Sequence, residues 1–294
     1  MADLEDFSLS ISGYKSFGAD GATFGAIRRV NVVIGRNNSG KSALIDAVEY
    51  ACTQGPIPTD QNHKVMTAKL TFTQKIIQND MAQIFPPNER YDELNNIYGS
   101  HILELLKGAS ITMEFSKNQQ IIFSSTTPDL TTKVVGNVTQ IFQRFNNKIR
   151  SPFAGKSFFR LAAERNIIPE AHTPGTGIDR HGIGFSNAIS NIINDKELDD
   201  AIVGINMLNS LNKIMGSDAK FDRIRVQKHS NAYWEVMLRE ISKGEIALSS
   251  SGSGLKTILL VLAFVEFFPS LAARPLSEFV FAFEELENNL HPAL

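Results

Sequence analysis

The chain has 294 residues, 43% hydrophobic and 20% charged, with a formal net charge of −2. That balance suits one large or two ordinary globular domains and excludes a disordered chain or one that grips nucleic acid by bulk positive charge. Cys52 is the only cysteine, which excludes a disulfide framework and a cysteine-built zinc site and fits the reducing cytoplasm expected for it.

Residues 1–6 are acidic and lack an apolar core, so they do not read as a secretory signal. Residues 7–11 alternate as a strand. Residues 29–34, Arg-Val-Asn-Val-Val-Ile, are apolar and β-branched and predict a second, buried strand. Directly after them, residues 35–42 read Gly-Arg-Asn-Asn-Ser-Gly-Lys-Ser, a complete G-x-x-x-x-G-K-[ST] phosphate-binding loop. Residues 43–50 then space apolar side chains helically. A strand feeding a glycine-rich turn that opens a helix aims backbone N–H groups at one point, where the helix dipole favours an anion. Gly35 makes the tight turn and Gly40 lets the backbone approach a phosphate. Lys41 reaches the β- and γ-phosphates, and the Ser42 hydroxyl ligates Mg²⁺. Gly35, Arg36, Asn37, Asn38, Ser39, Gly40, Lys41 and Ser42 are therefore the candidate site for ATP with Mg²⁺.

Further along, residues 65–72 predict a strand. Helices are expected around 75–85 and 91–106, separated by Pro86-Pro87. Residues 110–115 and 120–124 predict a hairpin, 136–148 a helix, 157–161 a strand and 173–177 a loop. A helix over 195–215 and a hairpin from 221–226 and 233–241 complete this stretch. No heptads run through the roughly 200 residues that follow the phosphate loop, so a globular insertion is expected rather than a coiled-coil arm. Arg144, Lys148, Arg150, Lys156, Arg160 and Arg165 crowd one stretch in which Glu164 is the only acid. It reads either as a solvated face or as a track for a DNA backbone. A second stretch carries Lys213, Lys220, Arg223, Arg225 and Lys228, offset by Asp218 and Asp222.

Residues 248–256, Leu-Ser-Ser-Ser-Gly-Ser-Gly-Leu-Lys, precede an apolar helix over 257–268. Small residues at a helix start form a second anion-binding nest. The apolar run 258–268 is interrupted by Glu266 and is too short to span a bilayer, so it predicts a buried helix. Residues 279–283, Phe-Val-Phe-Ala-Phe, form an apolar strand ending in Glu284-Glu285. A buried strand delivering acids to its C-terminal end is how a P-loop fold holds Mg²⁺ and orients water.

In this order the motifs resemble an ABC-type ATPase head of the SMC/RecF/OLD class, most like the OLD (overcoming lysogenization defect) family. Residues 11–17, Ile-Ser-Gly-Tyr-Lys-Ser-Phe, resemble the "GFKSF"-like opening of chromosome-maintenance and RecF-like heads. Residues 284–292, Glu-Glu-Leu-Glu-Asn-Asn-Leu-His-Pro, resemble the E-E-P-E-x-x-L-H-P pattern of OLD ATPases. Leu286 stands for the usual Pro, and Glu284 for the Asp of most ABC proteins. The resemblance implies an α/β head with a mixed or parallel sheet core, N-terminal antiparallel strands and a globular α+β insertion. It divides the chain into an N-terminal lobe with the phosphate loop (1–75), an insertion with second-lobe elements (76–240), and a segment with the signature and acids (241–294). The rest of the core and any effector domain are expected beyond residue 294.

Role by role, the resemblance implies Glu284 holding Mg²⁺ through water and Glu285 polarising the attacking water, with Lys41 on the phosphates. Lys15 and Ser16 would line the nucleotide near its ribose or phosphates. Ser251, Gly252 and Gly254 would meet the γ-phosphate of a nucleotide held by a partner subunit, and residues 288–291 would cross the dimer interface. Arg165 is similar to a strand-end arginine of the family and is a candidate phosphate or interface residue. The expected protein is an ATPase that forms a homodimer or higher oligomer around ATP, binds no membrane, and controls a nuclease domain or partner in anti-phage defence, with DNA a possible ligand. RecF-like DNA repair and an ATP-dependent assembly scaffold are the alternatives. Nothing in these residues builds a nuclease site.

Overall fold

The computed structural model describes residues 7–12, 14–25, 27–53, 65–71, 110–115, 121–126, 153 and 155–286. The chain divides into two compact units, Met1–Gly155 and Lys156–Leu294, whose boundary falls within the expected 76–240 segment.

The first unit is built on an antiparallel sheet of five strands, β1 (Phe7–Ser12), β2 (Ala22–Phe24), β3 (Val65–Thr71), β4 (Ser110–Phe115) and β5 (Ile121–Thr126), in the order β2-β1-β3-β4-β5. Alternation decides the face: Leu9 and Ile11 are buried, while Ser8, Ser10 and Ser12 between them are half-exposed. The expected hairpin at 110–124 is the β4–β5 pair, registered Ser110↔Thr126 to Phe115↔Ile121. Helix α1 (Lys41–Thr53) follows the phosphate loop and buries Ala43, Leu44, Ala47, Ala51 and Cys52 on one face. Expected helices at 75–85, 91–106 and 136–148 lie outside the described residues.

One expectation for this unit fails. Residues 30–34 form no strand and are exposed, with Val30 at 81%, Val32 at 80% and Ile34 at 90%. β-Branched side chains favour extended backbone, but a strand exists only where a neighbour accepts its ladder hydrogen bonds. The five-stranded sheet contains no such pairing for this segment.

The second unit carries two sheets. β6 (Ser157–Leu161) lies parallel to a strand from the far end of the chain, described below. β7 (Glu170–Ala171), β8 (Phe221–Lys228), β9 (Tyr233–Glu240) and β10 (Gly244–Ala247) form an antiparallel sheet centred on β9, with a bulge between Phe221 and Arg223. The predicted 221–241 hairpin is the β8–β9 pair.

Helix α2 (Phe185–Asn194) covers this sheet and buries Phe185, Ala188, Ile189 and Ile192, spaced i, i+3, i+4 and i+7. Its start is capped from outside, because the buried Glu170 carboxylate accepts from the N–H groups of Gly184 and Asn187. The helix expected over 195–215 is shorter: turns occupy 195–200, a π-helical segment runs Ile202–Met207, and α3 spans Leu208–Met215. Asp195 and Asp199 explain the delay, since each carboxylate accepts from the backbone N–H two residues on, a turn geometry that competes with helix.

Helix α4 (Ser253–Leu262) continues through a π-helical segment (Ala263–Phe267) into α5 (Phe268–Leu271). This run of 19 residues is longer than expected and, with a mean hydropathy of 1.7, apolar enough to cross a bilayer. Ile258, Leu259, Leu260, Phe264 and Phe267 are nevertheless buried in the unit's own core, which marks it as a core helix. Each such side chain contributes about 1.5–3 kcal/mol by leaving water. β11 (Phe279–Phe283) pairs with β6 in parallel, in register Phe279↔Ser157 to Phe283↔Leu161. Period-2 alternation puts Phe279, Phe281 and Phe283 on one face, stacked at centroid spacings of 6.0 and 6.2 Å. Phe159 continues that face and stacks on Phe268 at 4.2 Å.

Candidate functional site

In the first unit the phosphate loop turns at two left-handed residues, Asn38 (φ 67°) and Gly40 (φ 97°). Asparagine and glycine tolerate that region best. The Ser39 N–H donates to the Arg36 carbonyl at 3.2 Å, closing the turn, and the Leu44 N–H donates to the Gly40 carbonyl at 2.9 Å, starting α1. The Lys41 ammonium folds back and donates to the carbonyls of Gly35 (2.8 Å) and Arg36 (3.2 Å). The loop therefore encircles its own cation. A Cβ on Gly35 would meet Ser39 Oγ at 2.4 Å, so an alanine there would have to turn that serine side chain aside. Ser42 stands exposed in the first turn of α1. A glycine-shaped turn, a mobile ammonium, a hydroxyl and a helix start together fit a nucleotide's phosphates and their Mg²⁺.

The 11–17 segment braces this loop. Tyr14 and Phe17 exchange backbone hydrogen bonds at 3.0 and 2.9 Å, which places Lys15 (φ 48°) and Ser16 at the tip of a tight turn. Phe17 packs under the loop, where a Cβ on Gly40 would lie 2.8 Å from its ring. Lys15 pairs with the carboxylate of Asp46, one turn beyond Ser42 on α1, and the Tyr14 hydroxyl donates to the same oxygen at 3.2 Å. Asp46 is buried, a role its sequence position did not advertise. Burial first, and then hydrogen bonding with Tyr50, push the Tyr14 hydroxyl far above the ordinary tyrosine range, so it serves as a neutral donor. Lys15 thus stands beside the phosphate loop, held through α1.

The second unit holds the acids. The Glu284 N–H donates to the Leu161 carbonyl at 3.0 Å, extending the parallel ladder by one residue. Its carboxylate pairs with Arg160 Nε at 2.7 Å, with both side chains largely buried. Glu285 follows in the left-handed region (φ 46°) and is exposed. That backbone conformation costs a non-glycine residue about 1–2 kcal/mol. The Arg165 guanidinium spans what surrounds it. Nη1 donates to the carbonyls of Ala162 and Glu284, both at 2.7 Å, Nη2 to that of Glu285 at 3.2 Å, and Nε to the Thr257 hydroxyl at 3.2 Å.

At the signature segment, a 3₁₀ turn (Leu248–Ser250) leads through Ser251 to Gly252, the residue before α4. Ser251 donates to the Leu248 carbonyl through both its N–H (3.1 Å) and its hydroxyl (2.7 Å). Gly252 and Ser253 are exposed and Gly254 half-exposed. The turn is held from behind. Ser249 Oγ donates to the buried Glu235 carboxylate, which also meets His229 Nε2 at 2.5 Å, and Lys256 Nζ donates to the Ser249 carbonyl at 2.6 Å.

Of the crowded cations, Lys156 donates to the Ser277 carbonyl at 2.7 Å, and Arg160 and Arg165 are engaged as above. Arg144, Lys148 and Arg150 lie outside the described residues, as do residues 288–291. In the second basic stretch, Arg225 pairs with Glu245 and Lys228 lies 5.8 Å from the Trp234 ring centroid, while the stretch's acid Asp222 pairs with Arg239 on β9. Among the described residues no group of three or more His, Cys, Asp and Glu is placed to hold a metal ion by itself.

A family model described as AAA domain matches residues 8–168, just over half of the chain. The match takes in β1, the Tyr14–Phe17 turn, the phosphate loop, α1, β6 and Arg165. No curated protein matches the sequence. With the phosphate loop at the head of α1 and acids at the end of β11, the match supports ATP binding and an α/β P-loop fold. The chain belongs to the AAA-domain family, as a P-loop ATPase of the SMC-like type.

Proposed function

We propose that two copies of the chain close around ATP, each completing the other's site, and that the resulting switch controls an attached or associated nuclease in an OLD-like anti-phage role. The observation that carries this reading is the start of α4. There an exposed turn of small residues, Gly252 and Ser253, opens a long core helix, a surface able to approach another subunit's γ-phosphate without steric cost. In this reading Lys41 holds the phosphates, Ser42 helps hold Mg²⁺, and Glu285 polarises the attacking water. Bound Mg²⁺ neutralises the charge that develops on the transferred phosphoryl group. Glu284 precedes Glu285 in the chain, and its carboxylate is paired to Arg160.

Glu285→Gln tests the sandwich. The amide keeps the shape but polarises water poorly, so turnover should fall on the order of 10²–10³-fold while ATP still binds. Light scattering on that variant with ATP and Mg²⁺ should show a doubled mass that Lys41→Ala does not form. A monomer at saturating ATP would defeat the sandwich, and turnover near wild type would take the water-polarising role from Glu285.

A further inference from the structure

We propose that Arg165 is a positioning residue that sets the aim of Glu285 and ties it to the start of α4. The inference rests on the reading of Glu285 as the water-polarising acid. It departs from the expectation that Arg165 meets phosphate or a partner. All three guanidinium nitrogens are engaged within the second unit, on three segments far apart in sequence. Nη1 holds the turn after β6 and the end of β11 through the carbonyls of Ala162 and Glu284, Nη2 holds Glu285, and Nε reaches Thr257, one turn into α4. An arginine suits this work, because its rigid planar fork donates in several fixed directions at once, which an ammonium does not.

Two features give the contacts a consequence. Glu285 sits at φ 46°, a backbone conformation that a glutamate leaves unless held, and the Arg165 contact falls on its own carbonyl. The side chain of Glu285 leaves the chain at that strained residue, so a change in its φ swings the carboxylate. Thr257 lies four residues beyond Ser253 on the same helix, so α4 presents the Ser/Gly turn at one end of a rigid turn and the Arg165 contact at the other. A shift of the Ser/Gly turn is thereby transmitted to the backbone of both acids through one side chain. Arg160 adds a second tie to the same place from β6, through the Glu284 carboxylate.

The experiment compares Arg165→Ala, Arg165→Lys and Thr257→Val in the full chain, by steady-state ATP turnover and by hydrogen exchange of backbone amides. Arg165→Ala should lower kcat by on the order of 10²-fold with KM for ATP within about twofold, and Arg165→Lys should recover only part of that loss. Amide exchange in Arg165→Ala should rise together at residues 283–286 and 253–258, at unchanged rates in α2 and β9. Thr257→Val should raise exchange at 283–286 by a smaller factor, although it touches neither acid. A rise in KM with unchanged kcat would overturn the proposal in favour of direct nucleotide contact. Unchanged exchange at 283–286 in both Arg165→Ala and Thr257→Val would overturn it whatever the turnover. Should the wild-type protein itself prove inactive, the reading of Glu285 fails while the exchange pattern still decides the role of Arg165.

Discussion

Replacing Gly40 by alanine tests the phosphate loop where its geometry is most demanding. Gly40 has φ 97°, and the added Cβ would sit 2.8 Å from Phe17 Cζ, with two further ring carbons at 3.2 and 3.3 Å. The backbone conformation costs an L-residue about 1–2 kcal/mol. Displacing the ring adds about 1–3 kcal/mol of overpacking. Phe17 is only partly buried, so its ring can yield, and the sum falls near the lower end, about 2–3 kcal/mol. Binding requires the native loop, so that cost appears as a loss of ATP affinity of about 30- to 150-fold. Isothermal titration with ATP and Mg²⁺, beside urea unfolding of the same samples, measures it. Gly35→Ala is the internal comparison: its Cβ meets the end of a serine side chain that can rotate, so the loss there should be several-fold smaller. Adding Phe17→Leu to Gly40→Ala should recover the ring's share and leave the backbone's. A folded Gly40→Ala protein binding ATP within twofold of wild type would refute the reasoning, as would a larger loss at Gly35.

Asp46→Asn removes the charge that holds Lys15 and weakens the acceptor for the buried Tyr14 hydroxyl. It should cost about 1–3 kcal/mol in urea unfolding and weaken ATP binding, and wild-type values for both would count against the brace. Acid should destabilise the β8–β9–β10 sheet. Arg239 holds the Asp222 carboxyl below its usual range, Lys243 and Ser242 do the same for Glu240, and Arg225 for Glu245. Their folded-state pKa values are lowered, so their stabilisation is complete above the ordinary carboxylate range and is lost as pH falls through the lowered values. Urea midpoints of the wild type should drop below about pH 4, and less steeply in an Asp222→Asn/Glu245→Gln variant; parallel slopes would refute the assignment.

Elements were legible wherever a few consecutive residues carry the signal. Alternation in residues 7–11, the apolar run 279–283 and the G-x-x-x-x-G-K-S string predict β1, β11 and the loop opening α1, because each signal is carried by residues a few positions apart. Helix α2 carries the signal too, in Phe185, Ala188, Ile189 and Ile192, but Ser and Asn between them and glycines before them mask it. What the pattern does not carry is long-range pairing. Glu284 meets Arg160 from 124 residues away, and Arg165 meets Glu284 from 119 away, so neither the ion pair nor the clamp has a local signature. Asp46 reads as a polar interruption on the buried face of α1 until the Tyr14–Phe17 turn supplies its donors. Residues 30–34 fail for the converse reason: their composition states a preference for extended backbone and says nothing about who accepts the hydrogen bonds.

The exposure of residues 30–34 bears on how the protein behaves in a concentrated solution. Val-Asn-Val-Val-Ile is uncharged, β-prone and free of proline, the composition from which intermolecular sheets nucleate. Arg28 and Arg29 precede it and Arg36 follows, all three exposed. Cations at both ends of such a window act as gatekeepers, since stacking it in register would also stack like charges. Ionic strength therefore bears on handling: added salt screens these arginines and lowers the barrier to precipitation, so dilute, low-salt buffers should keep the purified chain dispersed longest.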